Sequence, residues 1–271
     1  TFKCPSGLDP KNQANREIII KKYVEELAKS QIEVAAITDY NGIRSEWFEP
    51  IRNEAHKHNI IIYPGAELSF RAGKRGLHII AVFPLEANIK SINRAIHALD
   101  KNPALDLIKS DGSIRVIDVE KNIEDALIKL RNQFDNIYII AHPNDSKGLF
   151  TTFNMEAAAK FIREVNPDAM EGLDQKDIDR LRATGEINVE KVNLASVQFS
   201  DPKHIEEIGS KTNPNGLKRA TFLKLSEAKN LLAIRLAFHD PCIRICTDKA
   251  PAYNHTRFLG LAIEGSGFLA G

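Results

Sequence analysis

Short, nearly unbroken apolar runs alternate along the chain with segments whose apolar residues recur at helical spacing. IEVAAITD (Ile32 to Asp39), NIIIYPGAEL (Asn59 to Leu68) and LHIIAVFP (Leu77 to Pro84) read as strands. So do NIYIIAHP (Asn136 to Pro143), AMEGLD (Ala169 to Asp174) and VNLASVQFSD (Val192 to Asp201). Continuous apolar character of this kind suits parallel strands buried on both faces. Helices are predicted over Arg16 to Ser30, Ser45 to His58, Ile89 to Leu99, Ile123 to Phe134, Asn154 to Val165 and Lys176 to Ala183. The alternation predicts an α/β fold built on a parallel sheet or barrel.

After Asp201 the pattern changes. NPNGLKRATFLKL (Asn213 to Leu225) reads as a turn and a strand, and Ser226 to Pro241 as a helix opened by a Ser/Glu cap and stopped at Asp-Pro. CIRI and the final RFLGLAIEGSGFLAG read as further strands of an appended element. The expected division is therefore 1–210 for the main α/β unit and 211–271 for an α/β connector. No internal repeat or low-complexity tract is visible.

Composition narrows the function classes only a little. A chain of 271 residues, 43% hydrophobic and 27% charged, can bury a sizeable core. A net charge of +1 gives no global attraction to nucleic acid or a membrane surface, and a local basic patch stays open. No run approaches the roughly 18 apolar residues of a membrane span. Cys4, Cys242 and Cys246 form neither a CxxC pair nor a zinc-ribbon spacing, and with no signal peptide visible the expectation is reduced thiols in a cytoplasm. The chain opens at Thr1 in the loop-like TFKCPSGLDP, as expected of an excerpt from a longer protein.

The chemistry gathers at strand ends. YIIAHPND finishes an apolar run on His142, which alone would pass for a hydrogen-bonded boundary residue. Other strands end the same way: Asp39 and Tyr40, Glu67, and Asp201 stand at or near C-terminal ends, while His78 begins its strand, a placement that a distorted barrel must accommodate. In parallel α/β barrels the C-terminal strand ends form the catalytic face. Carboxylates and imidazoles there, without thiolates, are the donors a divalent metal needs. Such an ion lowers the pKa of a bound water and neutralises phosphate, which permits hydrolysis near neutral pH.

The ordered motifs TDYNG, PGAE, LHIIAVF, AHP and FSDPKH with IEEIG, from Thr1 to about Gly209, resemble the PHP (polymerase and histidinol phosphatase) family. The resemblance implies a distorted TIM-like (β/α)7 barrel that hydrolyses phosphoesters with up to three metals, Mn or Zn being the expected ions. It implies that Glu67 bridges two metals, that His78 and His142 complete one shell, and that Asp201 holds the other ion. Glu67, Asp201 and Lys203 are the expected catalytic residues, and Tyr40, Lys203 and His204 the expected substrate contacts.

Departures from the family pattern fall together. The family opens with a strand ending in His-x-His-Thr, and this chain begins at the threonine, so the first strand is expected to lie upstream. The usual Thr-Asp-His is Thr38-Asp39-Tyr40, the usual Ser-Asp-x-His is Ser200-Asp201-Pro202-Lys203 with His204 one place late, and no Asp or His stands near Ser6. All three changes remove ligands of one metal, so the expectation is a lost third ion. Lys203 either replaces it as a phosphate-binding cation or is a solvated loop lysine. Tyr40 either hydrogen-bonds substrate or caps a strand.

The tail, GLKRATFLKL, LAIRLAFHDPCIRI and GLAIEGSGFLAG, resembles the connector of large PHP proteins fused to an SMC-like or AAA-type ATPase. No GxxxxGK[ST] occurs, so ATP would enter only through a domain outside this sequence. The expected partners are a phosphoester substrate, with nucleic acid among the candidates, and an ATPase domain of the same polypeptide, with no membrane. Two functions follow from these expectations: a metal-dependent phosphoesterase acting on phosphodiesters, nucleotides or nucleic acid, or a degenerate barrel serving as a structural or regulatory module. His56 and His58 read as a solvated helix end, and His97, His239 and His255 have no partner at metal spacing. Asn144, Asp145, Glu171 and Asp174 are further candidates to line the site. No nucleophile-elbow pattern supports a Ser/His/Asp triad.

Overall fold

All six apolar runs before Asp201 form strands, and they lie side by side in chain order. The computed structural model describes residues 4–109, 113–187, 194–212, 216, 219–225 and 228–247. Its first half runs α1 (Gln13–Lys29), β1 (Val34–Tyr40), α2 (Ser45–His56), β2 (Ile61–Phe70), β3 (Leu77–Val82), α3 (Ile89–His97) and α4 (Ile123–Gln133). Then come β4 (Ile137–Ile140), α5 (Leu149–Thr152), α6 (Met155–Val165), β5 (Ala169–Glu171), α7 (Gln175–Ala183) and β6 (Ala195–Val197). A 3-10 turn (Ile205–Glu207) leads to β7 (Phe222–Leu223), α8 (Leu231–His239), α9 (Pro241–Arg244) and β8 (Ile245–Cys246). Four of the seven α-helices described in the main unit start on an asparagine whose side chain accepts the N3 amide: Asn12, Asn88, Asn122 and Asn154.

The six-stranded sheet has the order β1-β2-β3-β4-β5-β6, and β7 pairs with β8 separately. Pairing is parallel for β1/β2, β4/β5 and β5/β6, but antiparallel on both sides of β3. The expectation of an all-parallel sheet is therefore corrected at one strand. The reason is loop length: only residues 71–76 separate β2 from β3, and a parallel crossover takes a dozen or more. Reversal of β3 brings its first residues to the C-terminal ends of the other five, which resolves the awkward position of His78. Among the described residues no ladder joins β6 to β1.

Alternation along the strands sorts the two faces. Ile62, Ala66, Leu68 and Phe70 of β2 pack with residues of α1, α2, α3, α4, α6 and α7 in the larger core. Tyr63 points the other way, with Val82, Ile137, Ile139, Ala169, Ala195 and Val197, against Leu231, Ile234 and Phe238 of α8. The second face thus has α8 over its apolar half, near the strand starts. Arg235 of α8 ties it there, donating to the Asn136 carbonyl at 2.8 Å and to Asp168 at 3.3 Å.

Beyond the sheet the sequence reading needs further correction. The helix expected from Ser226 begins at Leu231, with Asn230 accepting from the Ala233 amide at 2.9 Å. CIRI is not a strand as a whole: Pro241 starts a short helical turn, a position it favours because its missing N–H has no partner to lose, and only Ile245–Cys246 pairs. The strands expected over 257–271 lie outside the described residues. Among the described residues no helix is long and apolar enough to cross a membrane.

Candidate metal centre

The upper half of the second face is polar because three strands place side chains there in register. Tyr40 of β1 pairs with Glu67 of β2, and Ser69 of β2 pairs with His78 of β3. Residues two apart on a strand share a face, so Tyr40, Glu67, Ser69 and His78 project together. Past Tyr40, Asn41 adopts φ 53 and is fully buried. Its amide donates to the Glu67 carbonyl at 3.0 Å, its Oδ1 accepts the Ser69 amide at 2.7 Å, and its Nδ2 donates to the Arg115 carbonyl at 2.8 Å. Asn41 thereby hands the edge of β2 from β1 to the 115–117 segment, where Phe70 bridges Ile117.

His142 arrives by a different route. It lies two residues past the end of β4, at φ 28. A non-glycine residue there costs about 1–3 kcal/mol and persists only when its surroundings hold it. Its amide donates to Glu171 at 3.0 Å, its carbonyl accepts from the Asp145 amide at 3.0 Å, and the Lys147 carbonyl accepts the His78 amide at 3.1 Å. Gly148 closes this loop so tightly that a Cβ there would stand 2.3 Å from the carbonyl oxygens of both His142 and Pro143.

Glu67, His78 and His142 converge, with ligand atoms within 4.8 Å of one another. The edges of the triangle are 2.5 Å (His78 Nδ1 to Glu67 Oε1), 3.3 Å (His78 Nδ1 to His142 Nε2) and 3.5 Å (His142 Nε2 to Glu67 Oε1). Donors about 2.1 Å from a tetrahedral ion stand about 3.4 Å apart. Two edges already match, and the third, now a hydrogen bond, must open by about 0.9 Å to admit an ion. The far nitrogen of His78 lies 3.1 Å from Ser69 Oγ, the outer partner that fixes a ligand imidazole's tautomer. Nδ1 of His142 is buried without a hydrogen-bond partner among the described residues. One carboxylate and two imidazoles suit a divalent metal, and three protein donors leave the open position of a catalytic-type site. Side-chain exposure rises from 3% at His78 through 16% at Glu67 to 29% at His142, so the site opens on the His142 side.

Charge reinforces the cluster. Burial alone would push the Glu67 carboxyl up, but hydrogen bonds from His142 and His78 and their charges outweigh it and hold it at about 2. The hydrogen bond to Glu67 raises His142 against its burial, and the nearby Glu67, Glu171 and Asp145 charges add to the rise. The Tyr40 ring meets His78 edge-on at 5.4 Å. Burial raises its phenol, helped by Glu67 and Asp201 and opposed by Lys203.

The remaining expected residues divide. Asp201, at φ 37 and largely exposed, stands outside the triad, and its carboxylate accepts Lys203 Nζ at 3.0 and 2.9 Å. Lys203 loses some basicity to burial but gains more from Asp201, Tyr40 and Glu67, so it stays charged beside the cluster. His204 begins the 3-10 turn, near the Glu207 carboxylate. Asp39 faces away from Tyr40: it raises the phenol of Tyr23 on α1, and burial raises its own carboxyl. Asp174 caps α7 by accepting the Asp177 amide, and Asn144 donates to Asp177. The sequence reading passed over Ser69, Asn41 and Arg219. Ser69 was accessible through its spacing of two from Glu67. Arg219, which ion-pairs with Glu171, left no local signal.

The fold is shared with one of the solved proteins to which the chain is similar. A two-domain Bacteroides vulgatus protein containing a predicted PHP-like metal-dependent phosphoesterase matches 82% of this chain at a TM-score of 0.51 and 18% identity. This chain spans 57% of the length of that protein. A candidate metal-dependent phosphoesterase from Bifidobacterium adolescentis (TM-score 0.46, 12% identity) is matched over 73% of this chain and 86% of its own. An amidohydrolase from Chromobacterium violaceum with bound sulfate and no metal (TM-score 0.43, 15% identity) is matched over 72% and 87%. No protein-family model and no curated protein matches the chain. At 18% identity the first likeness establishes a common α/β architecture and nothing finer.

Proposed function

We propose that the chain is a metal-dependent phosphoesterase domain whose metal is held by Glu67, His78 and His142. The observation that carries this reading is the convergence of three donors from β2, β3 and the β4 end on one spot at the C-terminal ends of the strands. A divalent ion held there, Mn or Zn by the family resemblance, would supply a Lewis acid and a water of lowered pKa. The chain's own residues supply the rest. Lys203 offers an ammonium to a phosphate oxygen, Tyr40 offers a phenolic proton on the same side, and Asp201 orients Lys203 or takes a second ion when that pair opens. His204 would be a further substrate contact in this reading.

Closure of the strands into a PHP-type barrel, phosphodiester or nucleic-acid substrates, a cytoplasmic setting and an adjoining ATPase domain belong to the same proposal. They are supported by the order of the motifs and by the character of the tail. A second reading, a barrel that binds metal or anion without turnover, is favoured by one observation: Lys203 already occupies the carboxylate expected to hold another ion. An assay of the Mn2+- and Zn2+-loaded protein on an aryl phosphomonoester, an aryl phosphodiester and single-stranded DNA separates the two. Hydrolysis that disappears in Glu67→Gln and His142→Ala is the expected result. Metal uptake without turnover of any substrate would favour the binding module, and no metal uptake would contradict the phosphoesterase reading.

A further inference from the structure

One buried charge at the centre has a partner supplied from far along the chain. Glu171 ends β5 on the same face as Ala169, next to the metal cluster, and is buried. One carboxylate oxygen accepts the His142 amide at 3.0 Å, and the other is held by the guanidinium of Arg219. Arg219 lies beyond the six-stranded sheet, in a segment that clasps its edge. There the Thr221 hydroxyl donates to the Gln198 carbonyl and accepts the Gln198 amide, each at 2.8 Å. The same segment continues through β7 before α8 packs near the strand starts.

We propose that Arg219 is a positioning residue for the metal centre, acting through Glu171 to hold His142 in its left-handed backbone conformation. The inference rests on reading the triad as a metal site. His142 is strained at φ 28, and its amide is fixed by Glu171 alone among the described residues. A buried carboxylate keeps its orientation only while it is paired. Without Arg219 the carboxylate loses the partner that fixes its direction and turns toward solvent, which weakens its hold on the His142 amide. A ligand imidazole tolerates only about 0.5 Å of such drift before geometry suffers. The segment after the sheet is therefore part of the site, although it contributes no ligand.

The test uses Co2+, whose visible absorption reports coordination geometry directly, titrated into the full chain with a competing chelator. Arg219→Ala is expected to weaken Co2+ binding about tenfold or more and to alter the absorption band. Arg219→Lys, which keeps the charge, is expected to recover most of the affinity. Combining Arg219→Ala with Glu171→Gln is expected to weaken binding no further than the worse single change, because both act on one contact. Thr221→Val loosens the clasp without touching the charge pair, and a smaller loss in the same direction is expected even if Arg219→Ala fails to fold. Wild-type affinity and spectrum in folded Arg219→Ala, or unchanged binding in Thr221→Val, would overturn the proposal. Absence of Co2+ uptake by the wild type would instead overturn the metal reading beneath it.

Discussion

The Glu67 carboxylate gives the metal-free protein a distinctive dependence on pH. Its folded-state value is about 2 against an ordinary value of 4.5. The difference corresponds to at most about 3 kcal/mol of stability, at about 1.4 kcal/mol per pH unit. The sign follows from the direction of the shift. A folded value below the unfolded one means the contribution is complete above 4.5 and is lost as pH falls toward 2. His142 shifts the other way, so its share is present below 6.5 and is lost as pH rises through its elevated folded value. Both shifts describe one hydrogen-bonded pair and are counted once. The pair should therefore stabilise the protein most between 4.5 and 6.5. Urea unfolding of wild type and Glu67→Gln in a chelating buffer, from about pH 3 to about pH 8, gives the difference directly. The expected difference curve is bell-shaped with its maximum in that window. Parallel stability curves across the range would refute the argument, because they would mean that Glu67 gains nothing from its two histidines.

Other expectations concern the supports of the site. Gly148→Ala drives a Cβ against two backbone carbonyls at 2.3 Å and should destabilise the fold by about 3 kcal/mol, with weakened metal binding; a thermal melt and a metal titration check both. Asn41→Ala leaves the buried Ser69 amide and the Arg115 carbonyl without their partner, a loss of about 2–4 kcal/mol measurable by urea unfolding. Lys203→Met removes the cation from Asp201, and titration with Mn2+ should then reveal a second, weaker ion. Unchanged stoichiometry would mean that Asp201 is no ligand.

Element type was legible in the sequence where the physical signal is local. Strands buried on both faces carry continuous apolar runs, and the four asparagine-capped helices of the main unit begin within three residues of their expected starts. Strand direction was less so, because a buried run reads the same either way. The six residues between Phe70 and Leu77 did hold that information, since they cannot accommodate a crossover. For the same reason His78 was recognisable as a ligand type before its place made sense. Glu67 and His142 stood out as polar residues finishing apolar runs. Asp201 stood out equally but is turned toward Lys203, a contact that depends on loop geometry at φ 37 and not on strand alternation. The Arg219 to Glu171 pair joins residues with no periodic relation, so nothing along the chain announces it.

The central claim is that Glu67, His78 and His142 form a single metal site, and diffraction from a crystal soaked in Mn2+ or Zn2+ tests it most directly. The expected result is an anomalous peak about 2.0–2.2 Å from a Glu67 carboxylate oxygen, His78 Nδ1 and His142 Nε2, with the Glu67 to His78 contact lengthened from 2.5 Å to about 3.4 Å. Metal bound elsewhere, with that hydrogen bond intact at 2.5 Å, would contradict it.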